Sequence, residues 1–334
     1  MLFNGAFKLF KVYFNHDFLY KSGGQKMGSK FKFSSLSALF AVAFLGLAAP
    51  MHLAFAGSEN TASGAPIYVS DVGFATPESV EYYAGEDVYL VANINGSPFA
   101  KDDNGFISKI SPDGDVLELK WLDGAATNIA LNAPKGMQIM GNRLLIADID
   151  KLRVFDLPSG KQLADIAVEG ASFLNGLSMA DQNSVYVTDM GVAPGFKSSG
   201  TDAIYQIGLD GQVSTLVKTT KLNKPNGIAA HNGGVIIGTF GSGKLVFMDD
   251  KGETQSIMTL EGGRLDGLLS LDDGSIITSS WETSKVYRIA SDKSVTKVID
   301  GLKSPADLGL DTKRNRVLIP LFKGNELVIK PLNK

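Results

Sequence analysis

Residues 224–257 read KPNGIAAHNGGVIIGTFGSGKLVFMDDKGETQSI. In isolation the Asn226-Gly227 pair is a tight turn, because both residue types tolerate positive φ. After the pair come a strand-like run rich in β-branched residues, a Gly-containing break, a second run, and a Lys-Gly turn at 251–252. The opening phrase has relatives along the chain: TPESVEY from Thr76, APKGMQI from Ala133, FLNGLSM from Phe173, RLDGLLS from Arg264 and SPADLGL from Ser304. One residue of the phrase changes from copy to copy: Glu78, Lys135, Asn175, Asn226, Asp266 and Ala306, spaced 57, 40, 51, 40 and 40 residues apart.

A unit of about 40 residues holding several short strands, repeated without helical periodicity, defines an all-β chain, a six-bladed β-propeller with four-stranded blades. The last copy has sequence for three strands, ADLGLD, RVLIPLF and ELVIKPL, while APIYVSDV (from Ala65) stands unassigned ahead of the first copy. That N-terminal strand is expected to complete the last blade and close the ring, removing the edges that an open array would expose. Asp113-Gly114, Asp210-Gly211 and Lys251-Gly252 read as hairpin turns. Asp148, Asp150 and Asp189, at the ends of strand-like runs, read mainly as turn formers.

The 334 residues carry a net charge of −3, so nothing directs the chain to nucleic acid or an anionic membrane. Without cysteine there is neither a disulfide framework nor a thiolate metal site, and of the three histidines, His16, His52 and His231, only His231 lies beyond residue 56, too few for histidine-cluster zinc chemistry. Met27 opens a segment with Lys30 and Lys32, an apolar run from about Leu36 to Leu47, and Ala54-Phe55-Ala56 at a cleavage-like position. This is the pattern of a signal peptide. The expected organisation is therefore 1–26 as an upstream extension of the coding sequence, 27–56 as the signal peptide, and 57–334 as the propeller. The mature protein would be periplasmic or secreted, with no stable membrane association.

In a propeller the first strand of each blade lines the central channel, so the six variable residues converge on one mouth of it. Glu78, Asn175, Asn226 and Asp266 then form an all-oxygen cluster suited to a hard cation such as Ca²⁺ or Mg²⁺. Lys135 belongs to the same ring and offers a competing arrangement, an ion pair with Glu78 that needs no metal. The Asn-Gly and Asp-Gly pairs also have a purely conformational reading as turns.

Residues 74–325 resemble the gluconolactonase, regucalcin and luciferin-regenerating family of six-bladed propellers. RLDGLLSLDDGSIITSSWETSKVYRI is similar to that family's Asp-Gly phrase with its Trp-containing turn, KPNGIAA to its metal-binding Asn phrase, and Glu78 falls at its first-blade glutamate. The resemblance implies a divalent cation, Ca²⁺ ahead of Mg²⁺, Mn²⁺ or Zn²⁺, held by Glu78, Asn226 and Asp266. It further implies Asp266 as general base in lactone hydrolysis and Asn175 as a residue that contacts substrate or completes the metal shell. Four features depart from the family: PESVEY lacks the Gly-Pro-x-Trp that commonly follows the family's glutamate, Phe173 stands where sugar-lactonase members often carry arginine, no aspartate follows Asn175, and Lys135 intrudes in the ring. Phe173 and Lys135 are candidate substrate contacts, and Phe173 predicts a preference for less polar lactones or aryl esters.

Two function classes are open. One is an exported, metal-dependent lactone or ester hydrolase acting on a small molecule; the other is a non-catalytic propeller that binds a ligand or protein through the same ring. The Gly- and Ser-rich segment 190–202 is either a lid or an inert insertion. Trp281 reads as a blade-packing residue ahead of its alternative, a ligand-stacking one, and His231 as packed or superficial with no serine partner in view.

Overall fold

The computed structural model describes residues 64–333. The expected extension at 1–26 and signal peptide at 27–56 lie outside the described residues. Six four-stranded antiparallel sheets succeed one another along the chain, as the repeat predicts. Their innermost strands are Pro77–Tyr83, Pro134–Met140, Leu174–Asp181, Pro225–His231, Leu265–Ser270 and Gly309–Asp311. These six strands open blades 1 to 6.

Blade 6 takes three strands from the C-terminal end and its fourth, Ile67–Val69, from the N-terminal side of the propeller. Ile67 pairs with Ile329, Tyr68 with Val328 and Val69 with Leu327. Val69 is buried against Phe74 and Leu327, so closure contributes apolar burial as well as ladder bonds. Buried clusters fill the spaces between neighbouring sheets, one such set joining Leu145, Val154, Leu177 and Val187 of blades 2 and 3. Asp113-Gly114, Asp210-Gly211 and Lys251-Gly252 are turns, and all three glycines have positive φ.

Asn226-Gly227 is not a turn: it lies inside the innermost strand of blade 4. The pairing register there slips between Pro225 and Ile228, and equivalent slips occur in the innermost strands of blades 1, 2, 3 and 5. A β-bulge re-aims the side chain it carries, and in these five blades it turns the variable residue toward the axis. In blades 2 to 5 glycine comes next, because the bulged strands crowd one another. A Cβ on Gly227 would stand 2.1 Å from the Asp266 carbonyl oxygen, and one on Gly176 would stand 2.6 Å from that of Asn226.

Hydroxyls lock the crowded ring. The Thr188 hydroxyl donates to Asn226 O at 2.7 Å and accepts from Gly176 N at 2.9 Å, which ties blade 3 to blade 4. Ser279 does the same between blades 5 and 6, bonding Ala306 O and Gly267 N, both at 2.8 Å.

Candidate functional site

The structure brings Glu78, Lys135, Asn175, Asn226 and Asp266 to one cavity at a mouth of the channel, each 3 % exposed or less. Ala306, the sixth ring position, is also buried. Two aspartates do more than form turns. Buried Asp148 accepts from Asn132 N and Ala133 N and pairs with Arg153, fixing the approach to Lys135. Asp189 accepts from Ser172 N and Phe173 N, fixing the approach to Asn175. Asp150 lies at the surface and pairs with Lys101.

Glu78 Oε2, Asn175 Oδ1, Asn226 Oδ1 and Asp266 Oδ1 are all buried with no hydrogen-bond partner in the protein. Orphaned buried acceptors are rare, because each costs about 1–3 kcal/mol. Four of them on one cavity form a donor set that fits a hard cation. The cavity measures about 20 Å³, enough for a water or a bare ion.

Lys135 does not pair with Glu78; no ion pair joins them among the described residues. Its ammonium donates to Ala133 O at 3.0 Å and sits 4.2 Å from the centroid of the Phe173 ring. Phe173 and Lys135, two of the departures from the family pattern, therefore form one arrangement: a phenyl face receives the buried ammonium, whereas an arginine at 173 would confront it with like charge.

Burial raises the Glu78 carboxyl well above the usual carboxylate range; Asp266 and Asp307 push it further and Lys135 pulls it back. Asp266 is raised by burial and then by Asp307, with Trp281 and Asn226 close enough to moderate the shift. Burial lowers the Lys135 amine to about 8, against the opposing pull of Asp148 and Glu78. Beyond the cavity-lining residues, burial lifts Asp307 to about 7 and, with the Asp307 charge, lifts Glu81 to about 8. A positive charge placed among these groups would favour their ionised forms.

A second ring, absent from the sequence reading, covers the first. Ile94, Ile149, Met190, Phe240, Trp281 and Phe322 each come directly after the second strand of their blade. They lie 16, 14, 15, 14, 15 and 16 residues beyond Glu78, Lys135, Asn175, Asn226, Asp266 and Ala306 respectively. All six are apolar, and that regular offset was the signal available in the sequence. Phe240 meets Trp281 edge-on at 5.4 Å, and Trp281 meets Phe322 at 4.8 Å. Trp281 is thus a mouth residue and not a blade-packing one.

Segment 190–202 acts as a cover. Its hairpin pairs Val192 with Ser198 and carries Phe196 at the tip. That ring lies 6.0 Å from Phe240, 6.1 Å from Phe173 and 5.5 Å from Phe99. Phe196 has φ 57°, strained for a bulky residue. At the far end of its strand, His231 does find a serine: Nδ1 lies 2.8 Å from Ser270 Oγ, and Nε2 lies 2.8 Å from Asn232 Nδ2. With the Asn232 amide donating to Nε2, Nδ1 carries the proton, so the imidazole cannot accept one from Ser270.

Solved structures share this architecture. The chain aligns over 82 % of its length with 95 % of a structural-genomics protein described as a gluconolactonase (TM-score 0.60, 17 % identity). It aligns over 78 % with 87 % of a gluconolactonase from Xanthomonas campestris (TM-score 0.59, 17 % identity). A streptogramin B lyase is similar over 80 % of this chain and 98 % of its own (TM-score 0.59, 11 % identity). No family model matches the chain, and no curated protein does either. The fold is that of the gluconolactonase-like six-bladed propellers.

Proposed function

We propose that this chain is an exported, divalent-cation-dependent hydrolase of apolar lactones or aryl esters. The observation that carries the reading is the convergence of four orphaned oxygens, from Glu78, Asn175, Asn226 and Asp266, on one buried cavity. The similar structures support the scaffold, and one fold hosts many chemistries.

Glu78, Asn226 and Asp266 would hold the ion, with Asn175 completing the set or touching substrate. When bound, a divalent ion supplies polarisation of the scissile carbonyl and compensation of the charge that builds on its oxygen. Ionised Asp266 takes the proton of the attacking water. Phe173 and the second ring exclude bulk water and offer apolar contact, while leaving sugar hydroxyls unpaired. The carbonyl reaches the first ring when the aromatic layer parts, and Phe196, held on a hairpin outside the blades, is the member placed to move. The leader-like segment at 27–56 supports export, and sequencing the secreted N-terminus should return Gly57.

Titration calorimetry with Ca²⁺ tests the reading. The wild type should bind with Kd on the order of 10⁻⁶–10⁻³ M, and Asp266→Ala and Asn226→Ala should both lose affinity. Unchanged affinity in both would remove the ring as the cation site. Aryl esters and aliphatic lactones should be turned over faster than gluconolactone. The closed aromatic layer favours a second reading, a ligand-binding propeller with a structural ion. Cation binding without turnover of any lactone or ester would select it.

A further inference from the structure

Above the aromatic layer opens a bowl of about 560 Å³, a volume typical of small-molecule sites. Its floor is Phe196, Phe240, Trp281 and Phe322, and its rim carries Lys224, Arg264 and Lys323 against a single carboxylate, Glu282. Three cations less one anion leave the bowl at +2, on a chain whose total is −3.

The rim charges are positioned by the backbone and the floor. Lys224 and Arg264 both adopt positive φ, at 61° and 54°, two residues ahead of Asn226 and Asp266. The Arg264 guanidinium stands 5.9 Å from the Phe240 centroid and 3.5 Å from Glu282. The Lys323 ammonium stands 5.6 Å from the Trp281 centroid and has no carboxylate partner among the described residues. Lys224 donates to Phe196 O at 2.9 Å, so one cation of the rim holds the hairpin that forms part of the floor.

We infer that this bowl binds a small amphipathic anion, an aromatic or cyclic apolar carboxylate, with its ring on the floor and its carboxylate at the Lys323 and Arg264 side of the rim. A neutral sugar would bring hydroxyls to an aromatic floor and leave the rim cations uncompensated. A cation would meet the wrong sign of charge. The inference goes beyond the hydrolase reading and rests on the bowl alone; a carboxylate-bearing lactone or ester would satisfy both.

The test uses phenylpropionate and its neutral counterpart phenylpropanol, titrated calorimetrically into chelator-treated protein, so that no metal or turnover enters the measurement. The acid should bind at least about tenfold more tightly than the alcohol, the effect of one or two partly screened charges. Lys323→Glu should erase that preference, and Arg264→Gln should reduce it roughly threefold, while phenylpropanol binding stays the same. High salt should narrow the gap in the wild type. Equal affinities for acid and alcohol, no saturable binding of either, or a preference intact in both variants would overturn the proposal. None of these outcomes bears on Ca²⁺ binding by the first ring, so the two readings fail separately.

Discussion

At the residue scale the chemistry turns on how Lys135, Glu78 and Asp266 share a buried cavity. In the cation-free protein both carboxylates have folded pKa values above their unfolded ones. The folded chain therefore binds more protons, and this contribution to stability is present below the ordinary carboxylate range and is lost as pH rises through and beyond it. Asp266→Asn removes one such group. In chelator-treated protein it should raise stability at about pH 7 by roughly 1–3 kcal/mol and flatten the pH dependence, read by urea unfolding at about pH 5 and about pH 8. Ca²⁺ affinity should collapse in the same variant and, in the wild type, should rise with pH as protons are displaced. Lys135→Met removes a like charge from the cavity and should tighten Ca²⁺ binding by about tenfold, the weight of one partly screened repulsion; a weaker ion would mean that the ammonium supports the site. Glu78, Asn226 and Asp266 were legible in the sequence as a ring. The partnership of Lys135 with Phe173 was not, because a lysine beside a glutamate in blade order reads as an ion pair until the rotamer is known.

At the element scale the bulged innermost strand is the unit that makes the site. The Asn-Gly and Asp-Gly pairs look like turns because the same freedom from Cβ crowding serves both a turn and a bulge pressed against a neighbouring strand. The distinction lies in long-range packing, which local propensity does not encode. Gly227→Ala would drive a methyl into the Asp266 carbonyl, so it should cost about 3 kcal/mol or more and abolish Ca²⁺ binding by displacing Asn226 and Asp266 together. A folded variant of normal Ca²⁺ affinity would show that the bulge does not aim these side chains. The hairpin carrying Phe196 is the contrasting element, attached outside the blade ladder. Phe196→Ala should leave Ca²⁺ affinity within about twofold, since its ring carries no ligand atom, but speed ion association measured by stopped flow. Unchanged rates would mean that the ion does not enter past Phe196.

At the scale of the whole molecule the ring depends on one short strand. The repeat count and the unassigned APIYVSDV segment sufficed to anticipate closure, because period and strand number are global properties that survive errors at individual residues. The apolar second ring was equally periodic but went unseen: its members are chemically mixed, and their common offset becomes meaningful only once the first ring is known to face a mouth. Closure makes a prediction with a built-in control. Removing residues 1–56 leaves all the described strands, so the shortened chain should unfold at the same temperature as the full-length chain and bind Ca²⁺ equally well. Removing residues 1–71 also deletes Ile67–Val69, its pairing with Leu327–Ile329, and the burial of Val69. That loss opens blade 6 at its outer edge and exposes the Glu326–Pro331 strand as a free template. With buried side chains worth about 1.5–3 kcal/mol each and about 2–4 °C per kcal/mol in a domain of this size, the midpoint should fall by roughly 5–15 °C. The same protein should associate in a concentration-dependent way by light scattering, the exposed edge recruiting another chain. An unchanged midpoint and a monodisperse solution would show that the innermost strands, locked by Thr188 and Ser279, hold the propeller shut without the closing strand.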